Sequence, residues 1–322
     1  MIFYQRFWNL LKDDIMGVFN SFYYSTTNFD RVNSGWLCLI PKKIEANVAL
    51  SANDFCPISL VHSVAKLISK VLASRLQLLL GGLINPHQAA FIKGRHITDN
   101  FLCAHILIHH LHTNKHRAAL LKIDFERAFD RVNWSFLLDL LHAGGFGLRW
   151  NSWILTLLQT ASTSVILNGT PGKFFSCKRG LRQGDPLSPL LFILCVDVLF
   201  RLLQIATTAR LVPDLGIGNA RLHTLQFADD LIIFFDGSSR SDAIIKLILD
   251  DFAGCSGLSI NYSKSSVTPI NVPVPQAASL AISLGCTVKD FPLTYLGLPL
   301  SPKRLRRADF MLLIEKLGFQ SG

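Results

Sequence analysis

No Cys-x-x-Cys pair occurs in the chain, and its seven cysteines (Cys38, Cys56, Cys103, Cys177, Cys195, Cys255, Cys286) are scattered and odd in number. That argues against a zinc finger and for reduced thiols in an intracellular setting, nucleus or cytoplasm. Charge is sparse, at 17% of 322 residues, while half of the residues are hydrophobic, which excludes a disordered tail. No signal peptide is legible, because Arg6, Lys12, Asp13 and Asp14 interrupt the N-terminal apolar runs. The greasiest stretch, 190–203, is too short to span a bilayer and carries Asp197 and Arg201, so no membrane role is expected. The common hydrolase, kinase and metalloprotease signatures are missing: no Gly-x-Ser-x-Gly, no Gly-x-x-x-x-Gly-Lys-Ser/Thr and no His-Glu-x-x-His. Neither an internal repeat nor a low-complexity tract is present.

What charge there is leans one way. Lys and Arg outnumber Asp and Glu by 32 to 22, a formal net charge of +10. A basic chain of this kind favours a polyanionic partner, nucleic acid above all, although an anionic membrane surface meets the same description. The length accommodates a large core and two or more lobes.

The acidic residues that stand out are Asp229 and Asp230, set between Leu222-His223-Thr224-Leu225-Gln226 and Leu231-Ile232-Ile233-Phe234-Phe235. Both flanks are short, apolar and rich in strand formers, which predicts a β-hairpin with the acid pair at its turn. The second flank is apolar on both faces, as in a strand covered on both sides. Adjacent carboxylates there repel one another and call for a positive partner, which a divalent cation supplies; an ordinary acidic turn is the plainer alternative. A third carboxylate, Asp124, follows the strand-like Ala118-Ala119-Leu120-Leu121-Lys122-Ile123, at the position where a strand end presents a ligand, or else caps the helix after it.

Between these acids runs Lys178-Arg179-Gly180-Leu181-Arg182-Gln183-Gly184-Asp185-Pro186, with its cations and glycines just ahead of a helix predicted to start near Pro186. Such a loop suits phosphate contact, or is a basic surface loop. Lys42 and Lys43, after a strand stopped by Pro41, carry the same pair of readings.

The rest of the chain supplies scaffolding. An amphipathic helix is predicted over 1–24, another over 63–80 ended by Gly81-Gly82, and a third from a cap at Asp99 through His112. His105/His109 and His112/His116 are four apart, as two metal ligands on one helix would be. No Glu lies between them and no third ligand is evident, which favours a helix facing solvent or nucleic acid. Asn168-Gly169 signals a hairpin, 241–254 a helix, and the proline-dotted 268–275 a loop. Three carboxylates on two elements, a basic glycine-containing loop and net positive charge together suit two-metal phosphoryl transfer on a nucleic acid.

Three blocks resemble a reverse transcriptase, closely those of LINE-type, non-LTR retrotransposons and particularly the plant ones. They are Lys122-Ile123-Asp124-Phe125-Glu126-Arg127-Ala128-Phe129-Asp130, Arg179-Gly180-Leu181-Arg182-Gln183-Gly184-Asp185-Pro186-Leu187-Ser188-Pro189 and Phe227-Ala228-Asp229-Asp230. Further agreement comes from Leu39-Ile40-Pro41-Lys42-Lys43, Pro57-Ile58-Ser59-Leu60, Asn85-Pro86-His87-Gln88 through Gly94-Arg95, Gly257-Leu258 with Lys264, and Tyr295-Leu296-Gly297-Leu298-Pro299-Leu300.

The resemblance implies an α+β fold, the fingers and palm of a right-hand polymerase, with an antiparallel palm sheet packed on helices and a thumb largely missing. Its implied divisions are a helical extension at 1–35, fingers and palm at 36–300, and the basic start of a truncated thumb at 301–322. It implies Asp124, Asp229 and Asp230 as ligands of two Mg²⁺ ions, with Mn²⁺ as a substitute, and a backbone ligand from Phe125. Phe129 corresponds to the aromatic gate that excludes a ribose 2′-hydroxyl; Arg182, Gln183 and Gly184 lie in the nucleotide-lining loop. Lys264 corresponds to a lysine that protonates pyrophosphate, and Tyr295, Leu296 and Gly297 to the primer grip. Implied partners are an RNA template, a DNA primer and dNTPs. One departure stands out: Cys56 occupies the place where the family has Arg before Pro-Ile-Ser, which removes a fixed charge from the fingers. Two readings follow, an RNA-directed DNA polymerase and a non-catalytic remnant that at most binds nucleic acid. The accessory blocks fit a palm-type cyclase or a DNA-templated polymerase poorly.

Overall fold

The computed structural model describes residues 2–26, 28–41, 51, 54–217 and 220–311. Lys42 and Lys43 lie outside the described residues, as does 312–322. The chain divides into two units, Met1–Leu78 with Phe129–Phe192, and Leu79–Ala128 with Ile193–Gly322.

The first unit is built on the strands Ser34–Pro41, Phe55–Val61 and Ser162–Leu167. Ser34–Pro41 is central, antiparallel to Phe55–Val61 and parallel to Ser162–Leu167. Asn168 and Gly169 both have positive φ, the signature of the expected two-residue hairpin turn, and join Leu167 to Thr170. The helix expected over 1–24 breaks at Phe7 into Ile2–Arg6 and Trp8–Tyr24. Only Ile15 and Phe22 of the longer piece are buried.

The second unit carries a five-stranded sheet in the order Thr287–Val288, Ser266–Ile270, Ala118–Ile123, Asp230–Phe235, Thr224–Phe227. All pairings are antiparallel except the short Thr287–Val288 edge. Even-numbered positions of Ala118–Ile123 and Asp230–Phe235 face a core shared with the helix Ile97–Thr113 and the hairpin Leu293–Tyr295/Leu298–Leu300. Leu120, Ile232, Phe234, Leu107, Leu111 and Tyr295 meet there. Leu231, Ile233 and Phe235 on the opposite face are equally buried, so this strand is covered on both sides, as its unbroken apolar run predicts.

Three local expectations give way to tertiary structure. Gly81 and Gly82 do not end their helix, which runs Ser63–Leu83. Two helical glycines cost about 1 kcal/mol each, and burial of Leu80 and Ile84 on the same turn offsets that. The stretch expected as a loop over 268–275 supplies the strand Ser266–Ile270 and the start of the helix Val274–Leu284. Pro269 is tolerated because the neighbouring edge strand reaches only Ser266 and Val267, so no ladder bond is required of it on that side. The helix predicted near Pro186 is present, beginning at Ser188, but its end is not open to phosphate. Its first amides, of Leu187 and Ser188, donate to the Asp185 carboxylate at 2.8 and 3.3 Å, so the chain's own acid, not a phosphate, caps that end.

Ser188–Thr208 is also the one helix among the described residues long and apolar enough to cross a membrane by composition, and two thirds of its most apolar window is buried inside the protein.

Candidate active site

The antiparallel ladder between Ala118–Ile123 and Asp230–Phe235 ends with Ile123 opposite Leu231. One step further, the same register sets Asp124 opposite Asp230, on one face of the sheet, at the spacing of a cross-strand pair, about 5 Å between Cα atoms. Asp229 sits in the turn beyond. Sequence places these acids far apart; strand register makes them neighbours.

Each carboxylate is held by its backbone. Asp124 O accepts the N–H of Asn261 at 2.7 Å, and the Asp124 N–H donates to Ser265 Oγ at 3.1 Å. The Glu126 N–H donates to Ser259 O, forming an isolated antiparallel bridge centred on Phe125 and Ile260. In that bridge the bonds run from the residues flanking Phe125, and its carbonyl has no hydrogen bond among the described residues. Lys264 lies exposed on the same turn that holds Asp124.

The hairpin Thr224–Phe227/Asp230–Phe235 turns at Ala228 and Asp229. Ala228 has φ +55° while Asp229 is not in the left-handed region. Positive φ at the first central residue alone is the type II′ pattern, a place that normally takes glycine. Gln88, fully buried, anchors it: its Oε1 accepts the Ala228 N–H at 3.0 Å and the Ala90 N–H at 3.0 Å. Residues 87–89 pair with Gln226, which donates to His87 O and accepts from the Ala89 N–H, both at 3.1 Å. Behind them Asn100 Nδ2 donates to Gln226 O at 2.6 Å, and Asn85 Nδ2 to Gln226 Oε1 at 2.9 Å and Asp197 Oδ1 at 2.7 Å. This buried polar network backs the acidic turn.

Burial pushes the Asp229 carboxyl above its ordinary pKa; its own backbone N–H opposes this, and the charge of Asp230 adds to it. Asp230 is also raised by burial, with the Lys122 ammonium opposing and Asp124 reinforcing the shift. Lys122 is tied down, its Nζ donating to Thr294 O at 2.7 Å. That bond joins the sheet to the hairpin whose turn, Leu296 and Gly297, has positive φ at both residues. Tyr295 is buried beneath, and burial, with Asp230's charge in support and Asn100 opposing, holds its phenol protonated.

In the first unit Phe129 stacks on Phe192, ring centroids 4.4 Å apart, and its carbonyl accepts the Leu181 N–H at 2.7 Å. Gln183 O accepts the Ser59 N–H at 2.8 Å, fastening the loop to the strand Phe55–Val61. Gly184, at φ +102°, lies so close that a Cβ would stand 2.7 Å from Ser59 O. Gly180, at φ +80°, approaches the Asp130 backbone in the same way. Arg182 turns inward, donating to Asn33 Oδ1 at 2.6 Å and Asn33 O at 3.2 Å, with Asp185 3.8 Å away. Cys56 is exposed on its strand opposite Ile40.

A profile described as reverse transcriptase (RNA-dependent DNA polymerase) matches residues 40–300. This chain belongs to the reverse transcriptase family. It is similar to the transposon TX1 uncharacterized 149 kDa protein of Xenopus laevis, 29% identical over 82% of this chain and 20% of that protein. It is also similar to the Pol polyprotein of the type-2 retrotransposable element R2DM of Drosophila melanogaster, 28% identical over 84% of this chain and 24% of that protein. The chain thus spans about a fifth to a quarter of the length of these relatives. Among solved structures, telomerase from Candida tropicalis in complex with a TWJ fragment of telomeric RNA superposes with a TM-score of 0.56 at 14% identity. The match covers 84% of this chain and 44% of that one, a likeness of fold.

Of the residues singled out in this reverse transcriptase chain, the second unit brings together Asp124, Asp229, Asp230, Phe125, the turn bearing Lys264, and the hairpin of Tyr295, Leu296 and Gly297. The first unit holds Phe129, Arg182, Gln183 and Gly184. Among the described residues no three His, Cys, Asp or Glu side chains already converge as a metal cage. The donor set nonetheless fits hard divalent cations: all-oxygen, acidic, on adjacent backbone positions, with a spare carbonyl beside it. Of the histidines in and after Ile97–Thr113, His105 stacks on Phe101 and His110 meets His116 edge-on. The reading from sequence gave no role to Gln88 or Gln226, which it named only within longer blocks, and missed Asn100. Gln226 carried a signal, a polar residue within an apolar strand, but its partners lie elsewhere in the chain.

Proposed function

We propose that this chain is the RNA-directed DNA polymerase domain of a LINE-type, non-LTR retrotransposon of the plant kind, acting by two-metal nucleotidyl transfer. The observation that carries the reading is the register that opposes Asp124 to Asp230 with Asp229 in the adjoining strained turn. Asp124, Asp229 and Asp230 would hold two Mg²⁺ ions, or Mn²⁺, with the Phe125 carbonyl completing the set. Bound there, the ions lower the pKa of a primer 3′-hydroxyl and neutralise the triphosphate. Phe129 crowds the sugar 2′ position and selects dNTPs; Gln183 and Gly184 line the incoming nucleotide. Arg182 shapes that loop through Asn33 and Asp185. Lys264 delivers a proton to the departing pyrophosphate, and Tyr295, Leu296 and Gly297 steady the DNA primer against the RNA template.

Purified protein given Mg²⁺, a primed RNA template and dNTPs should extend the primer, and Asp229→Asn should abolish extension. Equal extension by the two proteins rejects metal-dependent synthesis. Template binding by a wild type that does not extend identifies the non-catalytic remnant, the reading Cys56 favours.

A further inference from the structure

The hairpin Leu293–Tyr295/Leu298–Leu300 forms a two-stranded sheet of its own, outside the five-stranded ladder of the second unit. Its inner side chains, Leu293, Tyr295 and Leu300, are buried in the core against that ladder. Apolar burial holds a hairpin down without fixing where along the surface it lies, because the hydrophobic effect has no direction. Among the described residues one hydrogen bond ties the hairpin to the five-stranded sheet: Lys122 Nζ donates to Thr294 O at 2.7 Å, joining positions 172 apart.

Register places Lys122 for this bond. It lies in the central strand, opposite Ile232 on one side and Ser266 on the other. Side chains alternate along a strand, so Lys122 shares its face with Leu120 behind it and Asp124 ahead of it. Asp230, two positions before Ile232 on the neighbouring strand, is on that face as well. Lys122 is half-buried, and its bond to the carbonyl is charge-assisted, roughly twice as strong as a neutral one. One ammonium thus answers to the hairpin by a bond and to the acid centre by its field.

We propose that Lys122 is a positioning residue for the primer: it fixes the turn at Leu296 and Gly297 relative to Asp124 and Asp230, so that a primer end steadied by the hairpin meets the acids. Resting on the polymerase reading above, this role adds a residue outside the acids and the hairpin themselves. Lys122→Met keeps an apolar stem of similar length but loses the donor and the charge, which leaves the hairpin buried and its placement free. Lys122→Arg keeps both.

The test reads binding without dNTPs, by fluorescence anisotropy of an RNA template carrying a labelled DNA primer and of the same RNA unprimed. Lys122→Met should weaken binding of the primed template about ten-fold, the value of a hydrogen bond to a charged group. It should leave binding of unprimed RNA unchanged, which also shows that the variant folds. Lys122→Arg should bind both as wild type does. Mn²⁺ binding, followed by electron paramagnetic resonance at mildly alkaline pH, should be at least as tight in Lys122→Met as in wild type, because a neighbouring positive charge is gone and the carboxylates stay in place.

Equal binding of primed template by wild type and Lys122→Met overturns the proposal. So does an equal loss on unprimed RNA, a loss that Lys122→Arg shares, or no binding of primed template by wild type. Weaker Mn²⁺ binding by Lys122→Met overturns it too, since that marks a disturbed acid centre and not a displaced hairpin. A wild type that binds primed template without extending it fails the polymerase reading and still tests Lys122. A wild type that extends, beside a Lys122→Met that binds equally well, fails this role alone.

Discussion

Replacing Gln88 with Leu should loosen the acidic turn without touching a carboxylate. Gln88 Oε1 accepts two buried amides, Ala90 (1% exposed) and Ala228 (7% exposed). Leaving each unsatisfied costs about 1–3 kcal/mol. Leucine also removes Gln88 Nε2, itself buried with no partner among the described residues, and recovers about as much as one of them. The net loss is then about 1–3 kcal/mol. It falls on the turn because Ala228, at φ +55°, is held in a conformation that itself costs about 1–3 kcal/mol. Urea unfolding should show the loss as a lower midpoint, and primer extension should need several-fold more Mg²⁺ for half-maximal rate. In an Ala228→Gly background the same two amides lose their acceptor, so Gln88→Leu should cost no less. An unchanged midpoint together with unchanged Mg²⁺ dependence refutes the anchoring role, as does a cost that vanishes in the glycine background.

Three further outcomes follow from the same geometry. Because Asp229 and Asp230 have raised folded-state pKa values, their ionisation opposes folding. The penalty is complete above the folded pKa and fades as pH falls towards the ordinary carboxyl value. Asp229→Asn should therefore raise the melting temperature at neutral pH in the absence of divalent cation, and the gap to wild type should close on acidification; a gap that widens is the opposite of what the sign requires. Gly184→Ala places a Cβ 2.7 Å from Ser59 O at φ +102°, and should cost about 2–4 kcal/mol in thermal unfolding and raise the KM for dNTP; a melting curve superimposable on wild type contradicts the close packing. Cys56→Arg puts a guanidinium on an exposed strand position and should lower the KM for dNTP several-fold; no change removes the significance of that departure.

The amino-acid sequence by itself determined the elements whose signal is local. Alternation and apolar runs mark Ala118–Ile123 and Asp230–Phe235, and Asn168-Gly169 marks its hairpin. These depend on backbone preference and on which side of an element is apolar, and neighbouring residues encode both. Only tertiary structure decided how distant pieces meet. Gln88 reaches an amide 140 positions away, Arg182 is drawn inward by a residue 149 positions away, and Asp185 caps a helix its loop was expected to open to phosphate. Pro269 stays in a strand because its neighbour is short, and the helix passes Gly81 and Gly82 because Leu80 and Ile84 are buried. A buried amide or guanidinium looks on paper like one facing solvent; its role is set by whichever unpaired group the fold brings against it, since desolvation makes that pairing obligatory.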